Sequence, residues 1–184
     1  MRLFLFTITM SRIIFSPLIF ITSIFFGVHL FSLVLFVLLA ITDFLDGSLA
    51  RKFNLESEIG ATLDPIADKV LLLSSLLTIS LVTEDPFITF FSLIILIREF
   101  WVGGMREMAH KLSISNSLKV NLLGKLKTTI QFITISCFFI GFWIDNALIL
   151  FLCNFLLFLT MLVTLLSGIN YSQSFISNIR IHSK

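Results

Sequence analysis

Thr42-Asp43-Phe44-Leu45-Asp46-Gly47-Ser48-Leu49-Ala50-Arg51 and, after eight further residues, Gly60-Ala61-Thr62-Leu63-Asp64-Pro65-Ile66-Ala67-Asp68 set four carboxylates at the edges of two long apolar runs. An ionisable group at the margin of a membrane helix is costly and marks a functional site by default. Asp43 and Asp46 are three residues apart and Asp64 and Asp68 four apart, so on helices each pair occupies one face. Two such faces turned toward each other concentrate negative charge, which is stable only with cations between them. The spacing gathers these carboxylates without a compensating cation nearby, and this points to bound divalent metal.

The rest of the chain decides what kind of helices these are. Of 184 residues, 57% are hydrophobic and only 13% charged, with a mean hydropathy of +1.05. No soluble domain needs so much apolar surface, so the class is all-α integral membrane. The 22 Phe residues suit lipid-facing surfaces. Apolar segments predict six transmembrane helices, near residues 5–26, 30–50, 58–82, 87–108, 123–143 and 147–169. Gly27-Val28-His29, Thr83-Glu84-Asp85-Pro86 and Asp145-Asn146 read as turns, with Pro86 suited to a helix start. Pro65 removes an amide donor from the third helix and is expected to kink it. The first helix is expected to stay in the mature chain, since no small-residue cleavage site follows it. With no linker and no repeat, residues 1–184 read as a single transmembrane catalytic domain.

All 13 Lys and Arg residues fall on one side of this layout, or in that side's half of a helix. The positive-inside rule then puts both termini and the Asp-bearing stretch in the cytoplasm, and the chain in the cell (inner, cytoplasmic) membrane. Cys137 and Cys153 lie in apolar runs and read as small buried hydrophobes. His29, His110 and His182 match no metal-ligand spacing. The basic residues form no long run, which excludes a nucleic-acid partner.

The pattern Asp-x2-Asp-Gly-x2-Ala-Arg-x8-Gly-x3-Asp-x3-Asp is complete between Asp43 and Asp68. Its eight fixed positions, at roughly one in twenty each, recur by chance on the order of once in ten billion starting points. The pattern resembles the signature of the CDP-alcohol phosphatidyltransferase family, and the six-helix layout resembles that family's bundle. The resemblance implies that an alcohol displaces CMP from a CDP-lipid. It implies two metal ions, Mg²⁺ or Mn²⁺, on Asp43, Asp46, Asp64 and Asp68, with Asp68 also the catalytic base. It assigns Gly47, Arg51 and Ser57 to the CDP moiety of CDP-diacylglycerol, and implies a homodimer. Independently, carboxylates rather than His or Cys suit Mg²⁺ and Mn²⁺ and argue against zinc. One departure is that the chain opens Met1-Arg2-Leu3-Phe4-Leu5, without the Asn-Ile-Pro-like segment common in the family.

The motif does not choose the acceptor alcohol. Arg98-Glu99, Arg106-Glu107 and Gly124-Lys125-Leu126-Lys127-Thr128 with Gln131 resemble the family members that use glycerol 3-phosphate, as do Thr9, Arg12 and Pro17 in the first helix. Several cations facing a carboxylate cluster suit an acceptor that carries a phosphate, so Arg98, Arg106, Lys125 and Lys127 are its candidate ligands. Arg98 lies too deep to be only a topology signal. The alternatives are another acceptor (phosphatidylglycerol, serine or an inositol phosphate) and an ion or proton transporter. Transport predicts acids spread through the depth of several helices, whereas these cluster at one edge.

Overall fold

The structure, a computed structural model, describes residues 2–53, 58–112 and 122–182. They form six α-helices: α1 Arg2–Phe26, α2 His29–Phe53, α3 Glu58–Thr83, α4 Pro86–Lys111, α5 Leu122–Ile144 and α6 Ala147–His182. Five contain stretches long and apolar enough to cross a membrane, and α2 supplies a shorter apolar segment, His29–Thr42. The chain is a multi-pass membrane protein.

The turns form where the sequence supplies the chemistry for them. Gly27 adopts φ +64 between α1 and α2, a conformation that costs glycine little. Asp85 caps α4, its side chain accepting from the Phe87 amide at 2.8 Å, and Pro86 takes the first helical position. Asn146 does the same for α6, accepting from the Leu148 amide at 2.9 Å.

Helix α3 is central, packing on α1 most extensively and also on α2, α4 and α5; α6 packs on α4 and α5. Phe36, Leu76, Ile79, Ile95, Phe138, Phe139 and Leu157 form the apolar core, with Phe36 stacked on Phe132 at 5.1 Å between centroids. Hydroxyl pairs join the helices. Thr22 and Ser32 link α1 to α2 at 2.7 Å, Ser80 and Thr89 link α3 to α4 at 2.6 Å, and Thr134 and Thr160 link α5 to α6 at 2.7 Å. In lipid, where apolar contact drives little association, such pairs and the small residues around them supply specificity.

Pro65 lies inside α3, which is helical from Glu58 to Thr83. One expectation changes. Helix α6 runs to His182, well past residue 169, because its polar extension still has a surface to pack on: Phe175 is buried against Val102, Met105 and Ala109 of α4.

Candidate active site

On α3, Asp64 and Asp68 lie one turn apart, as the spacing predicts. Facing them, α1 presents Thr9 and Arg12, three residues apart. Arg12 is wholly buried. Its Nη2 donates to Asp64 Oδ1 at 3.1 Å and its Nη1 to Asp68 Oδ1 at 2.9 Å, while Thr9 Oγ1 donates to Asp64 Oδ1 at 2.9 Å. A planar guanidinium can span two carboxylates in this way where a lysine ammonium cannot. The expectation that the carboxylates lack a nearby compensating cation is therefore corrected: α1 carries one, 52 residues away from Asp64 in sequence.

Asp43, Asp46, Gly47 and Arg51 fall in the C-terminal turns of α2, and Lys125 near the start of α5. Their side chains lie outside the described residues, as does Ser57 altogether. Among the described residues no three His, Cys, Asp or Glu side chains gather to hold a metal. The two described motif carboxylates still fit a divalent metal chemically. They are oxygen donors one turn apart and about half exposed, at 47% and 55%, as Mg²⁺ and Mn²⁺ require of a hydrated carboxylate site.

Beside Asp68 opens a cavity of about 500 Å³ between α2, α3, α4 and α5. Its apolar wall includes Phe36, Ala40, Leu72 and Phe132, and its polar wall Asp68, Lys69, Arg98, Glu99, Arg106, Lys127 and Gln131. The structure thus brings three of the four acceptor candidates into one space with Asp68. Arg98 and Lys127 are buried. Arg98 donates to Ser167 Oγ of α6 at 2.9 Å and to Glu99 Oε1 at 3.0 Å. Lys127 donates to the same Glu99 oxygen at 2.5 Å. Arg106 is exposed, its guanidinium 5.6 Å from the Tyr171 ring centroid.

The sequence assigns no role to Lys69, and does not reveal that Glu99 pairs with Lys127 or Arg12 with Asp64 and Asp68. Glu99 and Arg12 carried a signal, since each is an ionisable residue inside an apolar run. Lys69 carried none beyond its sign.

The model of the CDP-alcohol phosphatidyltransferase family matches residues 6–169. The chain belongs to that family. A CDP-diacylglycerol–glycerol-3-phosphate 3-phosphatidyltransferase of Wigglesworthia glossinidia brevipalpis is 35% identical over 166 residues, 89% of this chain and 90% of that protein. Proteins of the same name from Rickettsia bellii and Salmonella choleraesuis are 39% and 30% identical. The first alignment covers 76% of each chain, the second 89% of this chain and 90% of its relative.

Proposed function

We propose that this chain transfers the phosphatidyl group of CDP-diacylglycerol to glycerol 3-phosphate, giving phosphatidylglycerophosphate and CMP. The observation that carries the choice of acceptor is the cavity in which Asp68 meets Arg98, Arg106 and Lys127. An acceptor with a hydroxyl at one end and a phosphate at the other fits that polarity. The hydroxyl faces the carboxylate and the phosphate faces the cations. Glu99 is one anion shared by the two buried cations Arg98 and Lys127, so an uncharged alcohol would leave a net positive charge on that wall, a costly arrangement in low dielectric.

In the reaction the acceptor oxygen bonds to the phosphorus that carries diacylglycerol. The bond from that phosphorus to the CMP oxygen breaks, and CMP departs with the electron pair. Asp68 takes the proton of the attacking hydroxyl, a role typically contributing about 10²–10⁴-fold. Arg12 and Thr9 hold the α3 carboxylates in place for this. Gly47, Arg51 and Ser57 hold the CDP moiety. Arg98, Arg106, Lys125 and Lys127 hold the acceptor phosphate, Arg98 through a fork suited to paired oxygens. Asp43, Asp46, Asp64 and Asp68 would hold Mg²⁺ or Mn²⁺, which when bound neutralises the pyrophosphate and stabilises attacking and leaving oxygens. The excess of Lys and Arg at the motif end supports a cytoplasmic position for that end and both termini, with the chain in the inner membrane. The family resemblance supports a homodimer as the functional unit.

The test is a panel of glycerol 3-phosphate, serine, phosphatidylglycerol and inositol phosphate, assayed with labelled CDP-diacylglycerol in detergent. CMP release and lipid product with glycerol 3-phosphate alone support the reading. Product with another acceptor and none with glycerol 3-phosphate overturns the acceptor and leaves the reaction class standing.

A further inference from the structure

Glu99 is an acid in the middle of α4, on the wall of the acceptor cavity and 17% exposed. A single oxygen, Oε1, accepts from Arg98 Nη1 at 3.0 Å, Lys127 Nζ at 2.5 Å and Gln131 Nε2 at 3.3 Å. Two of these donors extend to α6. Arg98 Nη2 donates to Ser167 Oγ at 2.9 Å, and Gln131 Nε2 also reaches Thr164 Oγ1 at 3.4 Å. One carboxylate therefore joins α4 to α5, and through its donors to α6, at the level of the buried cations.

We propose that Glu99 is the positioning residue of the acceptor site, holding Lys127 and Arg98 side by side so that they meet a phosphate monoester. The inference rests on the reading of the cavity as the glycerol 3-phosphate site. A lysine ammonium is a point charge on a flexible four-carbon stem, with no direction of its own. Bonded to Glu99 it has a fixed one. Two cations that share a carboxylate oxygen in a low-dielectric site would repel each other if that charge were removed, and the flexible one would move.

The charge count agrees. Across the described lining, the cations Lys69, Arg98, Arg106 and Lys127 less the carboxylates Asp68 and Glu99 leave two positive charges. A phosphate monoester carries about −1.5 to −2 at pH 7. With the carboxylate present, the wall matches that anion. Without it, the wall is more positive but disordered, and less able to tell a phosphate ester from any other anion. Glu99 acts through Lys127 and Arg98 and does not itself touch the reacting atoms.

The experiment uses the full chain in detergent, with both substrates varied. Glu99→Gln keeps the shape and an acceptor oxygen and removes only the charge. The expected result is a KM for glycerol 3-phosphate raised about tenfold or more, with KM for CDP-diacylglycerol and kcat within about threefold of wild type. Glu99→Asp, which keeps the charge on a shorter stem, should fall between the two. The double variant Glu99→Gln with Lys127→Met should lose less than the product of the single losses, since one acts through the other. Equal rises in both KM values, a KM for acceptor unchanged from wild type, or multiplicative losses would each overturn the proposal. So would failure of both Glu99 variants to fold, which would make the carboxylate structural. A wild-type chain that does not use glycerol 3-phosphate overturns the acceptor reading and this inference together. A wild type that uses it, with an unaffected Glu99→Gln, overturns this inference alone.

Discussion

Replacing Arg12 by Met tests how far the α3 carboxylates depend on α1. Arg12 is 0% exposed and bonds Asp68 at 2.9 Å and Asp64 at 3.1 Å. Methionine occupies buried space of similar shape and leaves no polar atom behind. Removing one partner of a buried ion pair ordinarily costs about 3–5 kcal/mol, because the remaining charge is stranded. Here the stranded carboxylates are 47% and 55% exposed, so water takes over their hydrogen bonds and the loss approaches that of a surface pair. The expected loss of stability is therefore only about 1–2 kcal/mol. Catalysis should suffer more, since both carboxylates lose the group that orients them, and a misplacement of about 1 Å can cost about 10²-fold. Arg12→Met should lower kcat about a hundredfold, measured as CMP release at saturating substrates, alongside denaturant unfolding in detergent. Arg12→Lys keeps the charge but cannot span both carboxylates, and should still lose about tenfold. If Arg12→Met kept more than half of the wild-type kcat, the carboxylates would be held by other means and the argument would fail.

Asp64→Asn should abolish turnover in folded protein, as should excess EDTA in the wild type; full activity in EDTA would remove the metal. Asp68→Asn should lower kcat by about 10²–10⁴-fold even at saturating metal, since added metal does not replace the lost base. Full recovery at high Mg²⁺ or Mn²⁺ would instead make Asp68 a ligand only. At Gly168, an added Cβ would lie 2.9 Å from Arg98 Cγ and 3.0 Å from Nε, and Arg98 is anchored to Ser167 and Glu99. Gly168→Ala should cost about 1–3 kcal/mol of stability by overpacking and raise KM for glycerol 3-phosphate. Unchanged values for both would show that Arg98 has another equally good position.

The helices were legible because apolar run length and turn chemistry are local. Gly27, Asp85-Pro86 and Asn146 act within a few residues of themselves, and the structure uses them as read. The end of α6 was not legible. Hydropathy falls after residue 169, yet Tyr171 and Phe175 find α4 to pack on, and that surface is distant in sequence. The candidate site divides in the same way. Spacing on a single helix placed Asp64 above Asp68, and the depth of Arg98 followed from its position in an apolar run. Which cation meets which carboxylate depends on helix pairing, which no periodicity encodes: Arg12 with Asp64 and Asp68, and Lys127 with Glu99, 28 residues apart.

The pairing also explains where two of the glycines stand. A Cβ at Gly168 of α6 would enter the space of the Arg98 stem, and a Cβ at Gly103 of α4 would lie 2.9 Å from Lys69 Cε. In membrane bundles small residues usually let two backbones approach. At these two positions they instead admit a long cationic side chain between helices. The consequence differs for the two cations. Arg98 passes beside α6 and ends on Glu99 and Ser167, so its charge is fixed on the cavity wall. Lys69 lies along α4 with its ammonium 5.2 Å from the Phe100 ring centroid, an attraction weaker than a carboxylate bond. Of the described cations lining the cavity, Lys69 and the exposed Arg106, each against an aromatic ring, are therefore the ones that can shift toward an arriving anion at small cost, while Arg98 and Lys127 are tied to Glu99.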